Sequence, residues 1–181
     1  MESRKGQLLI ATGRLFDPNF ARSVVLIVQH DEDGVLGVIL NRPLDMPVSE
    51  ACGPMVESAG EVEAPIHQGG PCPGPLMVLH GDTSGGGEVV APGIWFTAER
   101  EPIEQIMRRD TRPAKYFANY AGWGLEQLER EIADGSWLLI PADSSDVFEA
   151  DAETQWNKLT ARLTAGGYIN PEHIPDDPST N

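Results

Sequence analysis

The sequence predicts an α+β protein in which most strands pair antiparallel and a few helices follow the first hairpins. Many short runs of β-branched and aromatic residues are separated by turn residues, which is typical of strands in an antiparallel sheet. Three longer segments combine helical spacing of apolar residues with the charges expected at helix ends. The chain has 181 residues and shows no internal repeat or linker, so we expect a single domain over residues 1–181.

The first half of the chain is expected to form strands and a single helical turn. The longest apolar runs, 23–29 and 35–40, are rich in β-branched residues without polar alternation, which suits strands covered on both faces. Asp-Glu-Asp-Gly at 31–34 separates them, and Gly34 can adopt the positive φ of a hairpin turn. These runs therefore predict an antiparallel hairpin. Further strands are expected at 7–11, 65–68, 76–80, 88–90 and 94–97, with a helical turn at 47–52 and a loop at 53–64.

The second half of the chain is expected to alternate helices with strands. Residues 99–109 carry Pro102 and glutamates in their first turns and end on two arginines, which suits the helix dipole. Residues 125–133 and 153–163 place apolar side chains on one helical face. Strands are expected at 115–119 and 137–140, and the polar, proline-rich segment 171–181 is expected to be a mobile tail.

The charge balance argues against nucleic acid as the main partner. The formal net charge is −15, from 28 acidic and 13 basic residues, and such a surface repels phosphate backbones and anionic lipid. One short basic segment is the exception and supplies a direct DNA-binding alternative. Its members are Arg108, Arg109, Arg112 and Lys115.

The chain is expected to be cytoplasmic and to make no membrane contact. No apolar run approaches the roughly 18 residues that span a bilayer. The apolar stretch near the N-terminus, residues 8–11, is too short for the core of a signal peptide. Cys52 and Cys72 are expected to be free thiols, as is usual in a reducing cytosol.

Three segments together resemble the YqgE/AlgH family of bacterial cytosolic proteins. They are GQLLIATGRLFDPNFARSVVLIVQHDEDGVLGVILNRP (6–43), HQGGPCPGPLMVLH (67–80) and YAGWGLEQLEREIADGSWLLIPA (120–142). The resemblance implies one α+β domain with a compact core over about 6–166. It also implies a sheet curled into a partial barrel, with the three main helices packed outside. One branch of the family carries a label as a transcriptional regulator, without a recognisable DNA-binding motif.

One candidate site combines thiols with imidazoles. A cysteine beside a histidine is how a nucleophilic thiolate is formed, so Cys72 with His67 or His80 supplies a hydrolase-type alternative. The same atoms are zinc ligands, but no C-x-x-C or H-x-x-x-H spacing is present, and we expect no metal. The complete set is Cys52, His67, Cys72 and His80.

Cofactor motifs are absent from the sequence. The segment GDTSGGGE at 81–88 lacks the lysine of a phosphate-binding loop, and GWGLEQ at 122–127 lacks the third glycine of a dinucleotide fingerprint. The acidic residues between 143 and 153 are explained by a surface loop that leads into a helix. We therefore expect no cofactor.

A polar set at the open end of the predicted hairpin is a candidate small-anion or ligand site. Antiparallel pairing brings position 22 near position 42, so two arginines and an amide converge beside a glycine-rich turn. The members of this set are Arg22, Asn41, Arg42, Gly69 and Gly70. A purely structural alternative is an ion pair of Arg42 with Asp17 or Asp45, with the glycines serving only as turns.

These observations favour a non-enzymatic binding domain, with the regulatory role that the resemblance implies. The ligand is expected to be a protein partner or a small anion, since the negative charge disfavours direct contact with DNA. The two alternatives are a hydrolase-type enzyme at Cys72 and direct DNA binding through residues 108–115.

Overall fold

The computed structural model describes residues 3–51 and 62–166. Within these residues, eleven strands form two sheets. The strands are β1 (Gln7–Ala11), β2 (Val24–Asp31), β3 (Gly34–Ile39), β4 (Pro43–Pro47), β5 (Pro65–Gln68), β6 (Met77–His80), β7 (Glu88–Ala91), β8 (Ile94–Thr97), β9 (Ala114–Ala118), β10 (Ala121–Trp123) and β11 (Trp137–Pro141).

The pairing of these strands confirms the α+β class with mostly antiparallel sheet. The first sheet has the order β10-β3-β2-β1-β11 and is antiparallel throughout. The second has the order β4-β5-β9-β6-β8-β7, in which β5 and β9 form the one parallel pair. Over the described ranges neither sheet closes into a barrel, since the outer strands of each do not pair.

Three main helices lie where the sequence predicts them, and two shorter ones accompany them within the described residues. The helices are α1 (Val48–Ala51), α2 (Arg100–Arg108), α3 (Leu125–Ala133), α4 (Ser144–Phe148) and α5 (Ala152–Ala165). The acidic run before α5 supplies two of the helix caps. Asp143 accepts a hydrogen bond from the Ser145 N–H at 2.9 Å, and Asp151 accepts from the Glu153 and Thr154 N–H groups. No helix of the described ranges is long and apolar enough to cross a membrane.

The predicted central hairpin is confirmed, and both of its faces are covered. Asp31 pairs with Gly34 across the turn, and a bulge shifts the register between Ile27 and Gln29. Val24, Leu26 and Val28 face one hydrophobic core, whereas Val25 and Ile27 face another on the opposite side. This double burial explains why the strand sequence is continuously apolar.

The two sheets pack face to face over what we call the inter-sheet core. It contains Leu26 from the first sheet, Leu79 and Phe117 from the second, and Leu159 and Leu163 from α5. The outer face of the first sheet is covered by α3. The outer face of the second sheet is covered by α2, and we call the apolar cluster there the outer core, formed by Val48, Val62, Ile66, Val78, Ile103, Ile106, Met107 and Tyr116.

The strands β4 and β10 are not predicted from the sequence, because they lie at sheet edges. β4 carries a proline at each end, and β10 is three residues long with a central glycine, so neither shows the β-branched run that predicts a strand. Proline is tolerated in an edge strand, where the missing N–H has no ladder partner to satisfy. Both strands form because a neighbouring strand, β5 or β3, offers free backbone groups.

A carboxylate on α3 fastens that helix to the first sheet. Glu131 accepts hydrogen bonds from the indole N–H groups of Trp123 at 3.0 Å and Trp137 at 2.8 Å. We expect Glu131→Ala to lower the free energy of unfolding by roughly 3 kcal/mol, since it leaves two buried N–H donors without an acceptor. Urea denaturation measures the change, and Glu126→Ala, an exposed position on the same helix, is the control. Equal effects from the two substitutions would contradict this prediction.

Candidate functional site

A cavity of about 420 Å³ opens beside the turn of the β2–β3 hairpin. The hairpin contributes Gln29, Asp31 and Asp33 to its lining, and Tyr120 lies on the opposite wall. β10 pairs with β3 in antiparallel register, which brings this wall next to the hairpin. The cavity thus combines carboxylates at one side with an aromatic ring at the other.

The Asp31 carboxylate of this hairpin cavity remains ionised at neutral pH. The Asp31 carboxylate accepts hydrogen bonds from the Gln29 side-chain amide and, at 3.0 Å, from the Asp33 backbone N–H. These bonds stabilise its charged form and lower the pKa of Asp31 below its ordinary value. Asp33 is exposed to solvent on the same turn. The rim therefore presents negative charge to any ligand.

The aromatic part of this wall is the Tyr120 ring. It lies beside Gly122, where an added Cβ atom would be 3.1 Å from the ring. The Trp123 side chain is 5% exposed and packs on Phe20 and Trp137 at the opposite face of the first sheet. Tyr120 is fixed through its backbone, which exchanges hydrogen bonds of 2.9 and 3.0 Å with Cys72. An aromatic ring next to carboxylates suits a cationic group, which is attracted by both.

Cys72 lines the hairpin cavity, but neither of its proposed histidine partners does. His67 pairs with Phe117, which belongs to the inter-sheet core. His80 shares its strand face with Val78, which belongs to the outer core. Because side chains alternate between the faces of a strand, the two imidazoles lie on opposite faces of the second sheet.

The thiol and imidazole set is therefore divided among separate places. His80 has its Nε2 2.9 Å from the Gly86 carbonyl oxygen and its ring stacked on Trp95. Cys52 lies outside the described residues. Among the residues that are described, no three histidine, cysteine, aspartate or glutamate side chains are grouped so that they could hold a metal ion.

The strand-end set comes together as antiparallel pairing predicts, through Asn41. Its side chain accepts a hydrogen bond from the Val24 N–H and donates one to the Arg22 carbonyl oxygen, both at 2.9 Å. The Arg22 guanidinium lies over the Trp156 ring at 5.0 Å and donates to Asn157. The Asn41 amide is thus engaged with the backbone of its neighbours.

The other members of this set also make contacts within the protein. Arg42 donates to the Ala21 carbonyl oxygen at 3.2 Å, and burial lowers the pKa of its guanidinium while the charge of Asp17 raises it. The Gly69 N–H donates to the Ala118 carbonyl oxygen, and Gly70 lies against the Tyr120 backbone. These contacts favour the structural interpretation, and anion binding at this strand end stays a prediction.

The basic segment at 108–115 is partly neutralised by nearby acids. Arg108 lies 3.4 Å from Glu104, and Arg112 lies 3.1 Å from Asp110. Lys115 is partly buried in β9. DNA binding through this segment stays a prediction.

Comparison with known proteins identifies the family. A family model described as AlgH-like matches residues 8–166. The chain belongs to the AlgH-like family. Among its AlgH-like relatives, a UPF0301 protein of Chlorobaculum tepidum is 35% identical over 98% of this chain and 96% of its own length. A UPF0301 protein of Streptomyces coelicolor is 36% identical over 100% of this chain and 97% of its own.

Two solved structures share the fold. The solution structure of the AlgH protein from Pseudomonas aeruginosa is similar with a TM-score of 0.72 and 27% identity, and covers 94% of both chains. The crystal structure of protein DIP2367 from Corynebacterium diphtheriae is similar with a TM-score of 0.69 and 26% identity. That similarity covers 90% of this chain and 88% of the other.

Sequence reasoning did not identify the hairpin cavity of this AlgH-like protein. His30 does not line the cavity, and its Nδ1 accepts a hydrogen bond from the Arg4 N–H at 2.9 Å. Asp31, on the same turn, lines the cavity. The available indication was the segment Tyr-Ala-Gly-Trp at 120–123, in which two aromatic residues flank an alanine and a glycine without a recognisable strand pattern.

Proposed function

We propose that this AlgH-like protein is a cytoplasmic, non-catalytic binding domain with a regulatory role, and that its ligand is a basic side chain of a partner protein. The observation that carries the proposal is the presence of the ionised Asp31 carboxylate and the Tyr120 ring in one cavity. A guanidinium or ammonium group is stabilised by the carboxylate through charge-assisted hydrogen bonds and by the aromatic ring through cation–π contact. The cavity accepts the end of one such side chain.

The charge of the whole molecule supports a basic partner. A net charge of −15 attracts a positively charged protein over distances within the Debye length, about 8 Å at physiological ionic strength. Such attraction raises the rate of encounter, and the cavity then supplies the specific contact. The affinity is accordingly expected to fall as salt is added.

The chemistry of the cavity favours binding over catalysis. A general acid or base works best when its pKa lies near the working pH, and the pKa of Asp31 is held below even its ordinary acidic value. No histidine is among the described residues that line the cavity, so Cys72 has no imidazole there to deprotonate it. The hydrolase-type alternative receives no support from this arrangement.

A peptide titration tests the proposal. We expect a short arginine-containing peptide to shift the backbone amide NMR signals of Gly34, Gly122 and Gly124, the glycines of the cavity lining, in a saturable manner. The same peptide with glutamine in place of arginine should shift them little. In the double variant Asp31→Asn with Asp33→Asn, the affinity should fall roughly tenfold, because two charge pairs are lost.

The control is a second double variant with the same change in net charge. Glu50→Gln with Glu101→Gln removes two exposed carboxylates that do not line the cavity, so the affinity should stay within about twofold. If both double variants weaken the peptide equally, the contact is a general charge effect and the cavity is not the site. Equal shifts from the arginine and glutamine peptides would also refute the proposal.

A further inference from the structure

Lys115 projects toward the inter-sheet core. It lies on β9 two residues before Phe117, so both side chains point to the same face of the second sheet. Its cross-strand partner on β6 is Leu79, which is fully buried in the inter-sheet core. The lysine is itself only partly buried, which leaves its surroundings open to solvent on one side.

This lysine has no acidic partner among the described residues. The ion pairs of the structure involve other cations, and the charge state of Lys115 is governed by burial alone, which lowers its pKa to about 8. The chain contains 28 acidic residues, so a partner could have been supplied from almost any neighbouring element. An amine placed against an apolar face without a counter-ion destabilises the protein, which calls for a functional explanation.

A second basic group lies beside it, on the neighbouring strand. β5 and β9 run parallel with His67 opposite Phe117, so His67 and Lys115 are diagonal neighbours on one face. The imidazole packs on the Phe117 ring at 5.4 Å and is 5% exposed. Its Nδ1 is buried and has no hydrogen-bond partner in the described part of the chain.

We propose that Lys115 and His67 form a binding site for a small oxyanion, a carboxylate or phosphate group. The two side chains lie on one face of neighbouring strands, and His67 carries an unpartnered buried nitrogen. An anion seated between them supplies the missing counter-ion to the ammonium group and an acceptor to the imidazole N–H. Burial and the charge of Lys115 lower the pKa of His67, so the imidazole of the empty site is neutral, and a bound anion opposes the effect of the lysine charge.

This oxyanion site differs from the strand-end set in what its groups already contact. Asn41 and the Gly69 N–H are committed to backbone partners, and Arg22 is stacked on Trp156. The His67 Nδ1 and the Lys115 ammonium group keep hydrogen-bonding capacity for a ligand, although the backbone of Tyr116 and Pro65 also acts on the imidazole. The site is also independent of the hairpin cavity, whose carboxylates would repel an anion.

NMR titration with inorganic phosphate and, separately, acetate tests the site at constant ionic strength set by sodium chloride. The chain has three lysines, Lys5, Lys115 and Lys158, so the side-chain signals of ¹³C-labelled lysine are readily assigned. We expect a saturable shift of the Lys115 signal and a rise of the Lys115 pKa toward its ordinary value when the anion is bound. If the Lys115 signal responds to just one of the two anions, the site is assigned to that group, phosphate or carboxylate. If it responds to both, the site binds oxyanions in general.

Matched variants separate this site from general salt effects. Lys115→Met keeps the length of the side chain but removes its charge, and should weaken binding, followed at the His67 ring signals, at least tenfold. Lys158→Met, at an exposed position on α5, should leave the affinity unchanged. His67→Leu should weaken binding while the protein stays folded, since leucine fits the apolar surroundings. The proposal is refuted if neither anion gives a saturable shift of the Lys115 signal, or if the His67 ring signals respond to the anion as strongly in Lys115→Met as in the unsubstituted protein.

Discussion

Replacing Gly70 with alanine is expected to prevent or severely impair folding, at a cost of more than about 4 kcal/mol. A Cβ atom at this position would lie 2.2 Å from both the carbonyl carbon and the carbonyl oxygen of Tyr120, and 2.3 Å from the Ala121 nitrogen. These are backbone atoms, so no side chain can turn aside to make room. Relief of the clash requires displacement of the segment that leads into β10.

Gly124→Ala provides the matched control. Nothing lies within 4 Å of a Cβ atom at Gly124, and its φ of −67° is acceptable for alanine. We expect the free energy of unfolding of that variant to lie within about 1 kcal/mol of that of the unsubstituted protein. Urea denaturation followed by circular dichroism compares the two. A Gly70→Ala protein as stable as the Gly124→Ala protein would show that the contact between Gly70 and Tyr120 is unimportant.

Acid is expected to destabilise the protein through His67. Burial, with the charge of Lys115 as a second cause, lowers the pKa of His67 from 6.5 to about 4. As the pH falls from 6.5 toward 4, the unfolded chain takes up a proton that the folded protein does not, so the free energy of unfolding decreases. A shift of this size corresponds to about 3 kcal/mol, lost progressively across that window.

The variant His67→Leu isolates this contribution. Other groups titrate in the same range, so the quantity to measure is the difference in unfolding free energy between the variant and the unsubstituted protein at pH 7 and at pH 4. We expect that difference to move in favour of the variant by about 3 kcal/mol on acidification, because leucine takes up no proton. A difference that does not depend on pH would mean that His67 is protonated equally easily in both states.

Most helices and strands of the fold could be predicted from local sequence. β1, β5, β8 and α3 begin and end at the residues that the pattern predicts, because their apolar runs are bounded by glycine, proline or polar residues. The edge strands β4 and β10 could not, because they form only where another strand offers backbone partners. The division into two sheets likewise depends on pairing between segments that are distant along the chain.

The candidate sites were predicted less completely than the fold. Antiparallel pairing correctly predicted that Arg22 and Asn41 lie together, since a hairpin fixes that neighbourhood from sequence alone. The cavity beside Asp31 was missed because its far wall comes from β10 and from Cys72. The proximity of Lys115 and His67 was missed because it depends on the parallel pairing of β5 with β9.

The sequence by itself determined the central hairpin, the main helices and membership of the AlgH-like family. These follow from local patterns and from long matching segments, in which each residue is judged with its immediate neighbours. Only the tertiary structure decided which charged groups lose their solvent and which face one another. Lys115 appears in the sequence as one member of a basic segment, yet its place on the inner face of a sheet separates it from that segment and sets it beside His67. The physical reason is that burial and electrostatic environment are properties of the folded neighbourhood, which strand pairing assembles from distant parts of the chain.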